Sequence, residues 1–256
     1  ASMLAFARQL RRRRIESGAI IMPRPEITVD ASDPRRIVIR KRQRQADSQL
    51  IISEFMILAN RLAAERVARE KLPFPYRTQS APKDMVPRSD DEFNPYVSYC
   101  QRRIMPRAEN SLDPRPHYSL GLDAYTNITS PLRRYFDVLA QRQLRAALGV
   151  DEPYSRDQLD TLLKELEPGI SRAQYVSHHR TRYWLLKYLA AFKGKTVKAI
   201  VLDRFPNRYQ IWLESLCMDA DLPLAFGHTL VPEQRIDVII EQVHPREDLL
   251  KLRLAN

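Results

Sequence analysis

The residues best equipped for chemistry in this 256-residue chain lie between positions 117 and 142. They run His117-Tyr118-Ser119-Leu120-Gly121-Leu122, then Tyr125, then Thr129-Ser130-Pro131-Leu132-Arg133-Arg134-Tyr135, with Asp137 and Arg142 beyond. Two hydroxyls, a direction-fixing proline and two adjacent guanidinium groups precede a helical pattern in which Tyr135, Val138, Leu139 and Arg142 recur at helical spacing. A loop that enters a helix this way gathers free backbone N–H groups, hydroxyls and fixed positive charge, which together suit a phosphate. The same spacing also serves an ordinary N-capped surface helix with solvated arginines, and spacing alone leaves both open.

Elements that could carry such a loop are legible around it. Leu4, Phe6 or Ala7, and Leu10 keep helical spacing at the start, and Arg11 to Arg14 suit the solvated basic end of that helix or, alternatively, a nucleic-acid patch. The β-branched runs 23–30 and 37–40, split by Asp33-Pro34, predict a hairpin or edge pair. A long helix is expected from Ser48 as N-cap, with Ile51, Phe55, Leu58 and Leu62 as its buried stripe. Glu54 shares the edge of that stripe and must find a cation, a donor or a metal; a structural salt bridge and a role in chemistry both answer.

Residues 73–116 are broken by prolines, and short helices and loops are expected there, packed through Phe74, Tyr76, Phe93, Tyr96 and Tyr99. Asp90-Asp91-Glu92 lacks further acids at metal-site spacing and is expected as an exposed loop or helix cap. Two helices are expected over 156–192, separated at Pro168-Gly169. The adjacent His178 and His179 do not have the spacing of a chelating pair, and no metal ligand is assigned in this chain. After Gly194 the runs 196–202, 208–214, 235–243 and 249–254, with Leu222-Pro223-Leu224 between, predict a five-stranded OB-fold barrel. Phe205, Tyr209 and Trp212 are its candidate stacking rings, with Lys198, Arg204 and Arg208 near a bound backbone; alternatively at least one ring is barrel core.

Composition narrows the partners. Forty-two Lys+Arg against 31 Asp+Glu leave a net charge of +11, which predicts a polyanion: nucleic acid first, an anionic membrane surface second. Cys100 and Cys217 share no short-spaced motif and point to a reducing compartment, with the cytoplasm as the expected location. No apolar run approaches the roughly 18 residues of a membrane span, and no signal peptide opens the chain. Six glycines give little support to a Gly-rich nucleotide-binding fold.

The segment 117–142 closely resembles the signature H-x-x-L-G-L-x-x-Y-x-x-x-T-S-P-I-R-R-Y-x-D-x-x-x-x-R of the ribonuclease II/ribonuclease R (RNB) family of exoribonucleases. It departs at Leu132, where isoleucine is usual, and at Asn127 and Gln141, both often histidine. Residues 7–19 resemble the family's A-x-x-L-R-x-x-R-x-x-x-G-A pattern, and a stretch within 50–60 resembles L-I-x-E-F-M-x-x-A-N, with Ser53 replacing an acidic residue common there.

The resemblance implies an α+β chain: residues 1–193 as the C-terminal portion of an RNB-type catalytic domain, and 194–256 as an S-one-type OB-fold RNA-binding domain. It implies hydrolysis of single-stranded RNA from the 3′ end to nucleoside 5′-monophosphates. Arg133 would stabilise charge on the scissile phosphate, Glu54 would lie near the active centre, and Thr129, Ser130, Arg134 and Tyr125 would contact RNA. Lys198, Arg204, Phe205, Arg208 and Tyr209 would hold the strand on the barrel. Magnesium is the implied cofactor, with aspartate ligands upstream of this chain, so the segment alone is expected to bind RNA without cutting it efficiently. The sequence does not fix the oligomeric state, and a monomer is the favoured expectation. The alternative is a non-catalytic RNA-binding or regulatory protein derived from the same fold.

Overall fold

The computed structural model describes residues 2–23, 25–42, 46–87, 93–224 and 229–255. The chain divides into two units. The first comprises Ala1–Ile21, Gln45–Asp90 and Arg103–Ile170, and the second Met22–Arg44, Asp91–Arg102 and Ser171–Asn256. Asp90-Asp91-Glu92 lies outside the described residues.

In the first unit α1 (Ser2–Glu16) packs on α2 (Asp47–Glu70), and α2 packs in turn on α4 (Tyr135–Ala147). The contact side of α2 differs from the expected stripe. Its buried residues are Glu54, Asn60, Ala63, Ala64 and Val67, whereas Leu62 is exposed and Ile51, Phe55 and Leu58 are only partly covered. Small side chains let Ala140 of α4 and the rings of Phe74 and Tyr76 approach the helix closely. Ser48 is not the N-cap: Ala46 occupies that position without a side-chain bond, and Asp47 supplies first-turn negative charge. Lys71, in the left-handed region at φ 55°, ends the helix. A short pair, β3 (Tyr76–Thr78) with β4 (Glu109–Ser111), braces the proline-rich stretch and was not legible in it.

The two helices expected over 156–192 are one, α5 (Arg156–Ala190), which continues through Pro168. Proline removes one helical hydrogen bond and crowds the carbonyl four residues back. Here Lys164 and residues 167–170 are exposed, so water can serve the freed carbonyl.

The second unit holds the hairpin of β1 (Glu26–Asp30) and β2 (Val38–Arg42), most of α3 (Pro95–Ile104), the end of α5 and a five-stranded barrel. The barrel strands are β5 (Thr196–Arg204), β6 (Arg208–Leu213), β7 (Met218–Pro223), β8 (Arg235–His244) and β9 (Leu249–Leu254). All pairs are antiparallel in the order β7-β6-β5-β8-β9, and β9 meets β7 so that the barrel nearly closes, as an OB fold requires. Ala199, Val201, Tyr209, Ile211, Leu213, Val238 and Ile240 belong to its core, which Leu185, Leu186 and Leu189 of α5 and the hairpin extend. Opposite residues on β5 and β6 are buried too. Leu202 and Trp212 face outward by strand parity and pack against Phe93, Tyr96 and Tyr99 of the α3 region. Tyr99 donates to Asp203 Oδ2 at 2.8 Å, and Arg102 pairs with Asp219 at 3.3 Å.

Candidate functional site

The 117–137 stretch is built from anchors supplied by distant parts of the first unit. His117 starts a single 3₁₀ turn, Tyr118–Leu120, that Gly121 ends at φ 64°. A side chain at Gly121 would place its Cβ 2.8 Å from Ala19 N and 2.9 Å from Arg14 O, so only glycine lets the turn lie against the end of α1. Ile20 N donates to Ser119 O at 3.0 Å across that contact. Gln79 holds the other side: its carbonyl accepts from Tyr118 N and its side-chain Oε1 from Ser119 N.

Downstream, Asn60 of α2 bridges two points. Its Nδ2 donates to Tyr125 Oη at 2.9 Å and its Oδ1 accepts from Ile128 N at 3.0 Å. Gln141 of α4 donates to Ile128 O at 2.6 Å, and Thr126 Oγ1 to Pro75 O at 2.7 Å. The loop that follows is therefore held by main-chain bonds from two helices before it reaches Ser130.

His117 is buried, its ring edge-on to Tyr125 at 5.4 Å between centroids. Burial, with the positive charge of Arg77 adding to it, pushes the imidazole down to about 4. Between that value and the ordinary 6.5 the unfolded chain binds a proton that the folded chain refuses. Stability from this group is thus fully present above about 6.5 and is lost as pH falls toward 4, a loss of about 3 kcal/mol. Urea unfolding between pH 7 and pH 4 should show this slope, and His117→Gln should flatten it; an unchanged slope in the variant would assign the pH dependence elsewhere.

The two arginines part company. Arg134 is half-buried, its Nη2 donating to Asp137 Oδ2 at 2.8 Å; Asp137 is fully buried and the same oxygen accepts from Ser130 N at 2.7 Å. Arg133 is exposed, with Ser130 Oγ at 3.4 Å as its side-chain contact. Thr129 Oγ1 is buried and has no partner among the described residues.

Several expected site residues are placed differently. Arg134 is committed to Asp137 and Thr129 turns its hydroxyl inward, so neither presents its polar group as Arg133 does. Tyr125 is buried and bound to Asn60, and burial pushes its phenol up; it supports the loop and offers no surface to RNA. Glu54 is 4 % exposed and forked by Arg14, whose Nη2 and Nε donate to its two oxygens at 2.6 and 3.0 Å. Arg14 therefore leaves the basic run and enters the interior, while Arg12 and Arg13 stay exposed.

On the barrel, Tyr209 is 1 % exposed and takes Leu230 N on its hydroxyl, so it is core and cannot stack a base. Trp212 is buried beside Phe93, ring centroids 5.6 Å apart. Phe205 and Arg208 do come together, the guanidinium 4.9 Å from the ring centroid, in the turn between β5 and β6 that also carries the exposed Arg204. Lys198 is exposed but lies six residues back along β5, about 20 Å away at strand rise, and is not part of that cluster.

Among the described residues no three His, Cys, Asp or Glu side chains gather to hold a metal ion. The two buried acids nearest the loop, Glu54 and Asp137, are both taken by arginines. The described residues do not gather a magnesium site, and no chemical step through a metal follows from them. Among the described residues, no helix is long and apolar enough to cross a membrane.

The fold is α+β with a nearly closed antiparallel barrel, and the 117–137 loop presents Arg133 at the entry of α4. Residues 1–150 match the RNB domain, and the chain belongs to that family. It is 31% identical over 254 residues to an uncharacterized ribonuclease of Synechocystis, covering 95% of this chain and 37% of that protein. It is similar in fold to the crystal structure of an active-site mutant of the Dss1 exoribonuclease from Candida glabrata, with a TM-score of 0.85 at 21% identity over 99% of this chain and 35% of that one. Mycoplasma genitalium RNase R in complex with ribose-methylated single-stranded RNA gives a TM-score of 0.79 at 16% identity, covering 99% of this chain and 49% of that one. The chain spans about a third of the length of the curated relatives it matches.

Proposed function

We propose that this chain is the phosphate-positioning and strand-holding part of a hydrolytic ribonuclease that degrades single-stranded RNA from its 3′ end to nucleoside 5′-monophosphates. The observation that carries it is Arg133: an exposed guanidinium at the entry of α4, next to a neighbour already neutralised by a buried acid, in a chain of the RNB family. The +11 balance and the names of the relatives support the same substrate. In this proposal Arg133 donates to the non-bridging oxygens of the phosphate under attack, where negative charge grows in the transition state. Phe205 stacks a base on its face away from Arg208, and Arg204 and Arg208 pair with the backbone. Residues 1–193 would belong to the catalytic domain and 194–256 to the RNA-binding domain. Magnesium would be required in the complete protein, held by acidic residues that are not among those described here.

The test uses the complete protein with magnesium and 5′-labelled single-stranded RNA. The expected result is stepwise shortening from the 3′ end with release of mononucleotides, and arrest when the 3′ end is blocked. Internal cleavage would overturn the direction. Tight binding with no hydrolysis would overturn the catalytic reading and establish the non-catalytic alternative.

A further inference from the structure

We propose that Asp137 is a positioning residue that sorts the two adjacent arginines, holding Arg134 on its own carboxylate so that Arg133 is the more exposed of the two and the one the loop presents. This rests on the role given above to Arg133 at the scissile phosphate.

One carboxylate oxygen of Asp137 holds both ends of the turn. Oδ2 accepts from Ser130 N at 2.7 Å and from Arg134 Nη2 at 2.8 Å. Ser130 O closes the same turn by accepting from Arg133 N at 3.3 Å and Arg134 N at 3.1 Å. Between these fixed points Pro131 restricts the backbone and Leu132 stands wholly in solvent. With Ser130 and Arg134 pinned, the backbone that carries Arg133 is fixed, and with it the side on which its side chain leaves the turn.

An acid in the first turn of a helix commonly just caps it, and α4 does carry Asp137 there. A cap, however, is ordinarily placed at the surface, where both oxygens can be solvated. This carboxylate is 0 % exposed, and its Oδ1, Arg134 Nε and Thr129 Oγ1 are three of the six buried side-chain atoms without a partner among the described residues. Unpartnered buried polar atoms destabilise a fold, and chains tolerate them chiefly where a site demands a particular arrangement. A surface cap would give the helix its start without that cost. What the buried acid adds is control over which arginine is free.

The experiment measures turnover and RNA affinity of the complete protein carrying Asp137→Asn, alone and combined with Arg133→Ala. Asparagine keeps an acceptor for Ser130 N–H and the side-chain shape, but loses the charge that holds Arg134. The expected result is a fall in kcat of about tenfold or more with RNA affinity changed less than about threefold, and no further fall in residual single-turnover rate when Arg133 is already alanine. A purely structural cap would lower the rate equally in both backgrounds, and that additivity would overturn the proposal. So would a loss of affinity that tracks the loss of rate. Should Asp137→Asn not fold, Arg134→Gln in the same two backgrounds reads the same coupling. If Arg133→Ala itself keeps full turnover, the phosphate role fails and this inference fails with it. If Arg133→Ala loses turnover while the second substitution adds to that loss, only the positioning role falls.

Discussion

Arg133→Ala in the complete protein is expected to lower turnover about 100- to 1000-fold while weakening RNA binding less than about tenfold. The asymmetry follows from where the guanidinium sits. It is exposed, so a ground-state phosphate beside it remains partly solvated and the contact contributes little to affinity. In the transition state the phosphate oxygens carry more charge, and a donor already in place gains strength without reorganising. The backbone that carries it is held by Asp137 and by the side-chain bonds of Asn60 and Gln141 to the main chain of Ile128, so little is spent on ordering the loop during the reaction. Arg133→Lys should recover only part of the rate, because a single ammonium cannot reproduce the fork. Equilibrium binding and single-turnover rates on the same RNA separate the two effects. Equal losses in both would reduce Arg133 to one phosphate contact among many.

The loop itself was legible in the sequence because its chemistry is contiguous: hydroxyls, proline, two arginines and an aspartate within nine positions. Its supports were not. Asn60, Gln79 and Gln141 act as single side chains on backbone far away in the chain, and no local period marks a residue of that kind. The stripe on α2 was misplaced for a related reason. Periodicity selects large apolar residues, whereas a tight approach by α4, Phe74 and Tyr76 buries the small ones, Ala63, Ala64 and Val67. Tyr209 could have been placed, since it shares strand parity with Ile211 and Leu213 and therefore points into the barrel. Trp212 could not. Its parity puts it outside, and the ring that buries it, Phe93, comes from before α3. Pro168 misled because a helix can continue through a proline where the carbonyl it frees is open to water.

Removing Arg14 should give the largest loss of stability in the first unit. Arg14→Ala is expected to destabilise by about 3–5 kcal/mol, because it strands a buried carboxylate rather than merely deleting a contact. In a unit of this size such a change lowers the unfolding midpoint by about 10–18 °C. Arg14 also donates to Leu120 O at 3.3 Å, so the turn ahead of Gly121 loosens with it. The outcome at Glu54 decides between the two roles the sequence left open. As a structural partner, Glu54→Gln leaves the Arg14 guanidinium with a neutral acceptor in the interior, so the midpoint drops and turnover per folded molecule stays near normal. As a catalytic group, it would fold almost as well and lose its rate. Both its oxygens are already taken by Arg14, which favours the first result. Arg14→Met combined with Glu54→Met adds a control: it removes both charges while keeping similar bulk, and should restore much of the stability lost in either single variant. A Glu54→Gln protein with an unchanged midpoint and little turnover would instead return Glu54 to the reaction centre and reduce Arg14 to the means of holding it there.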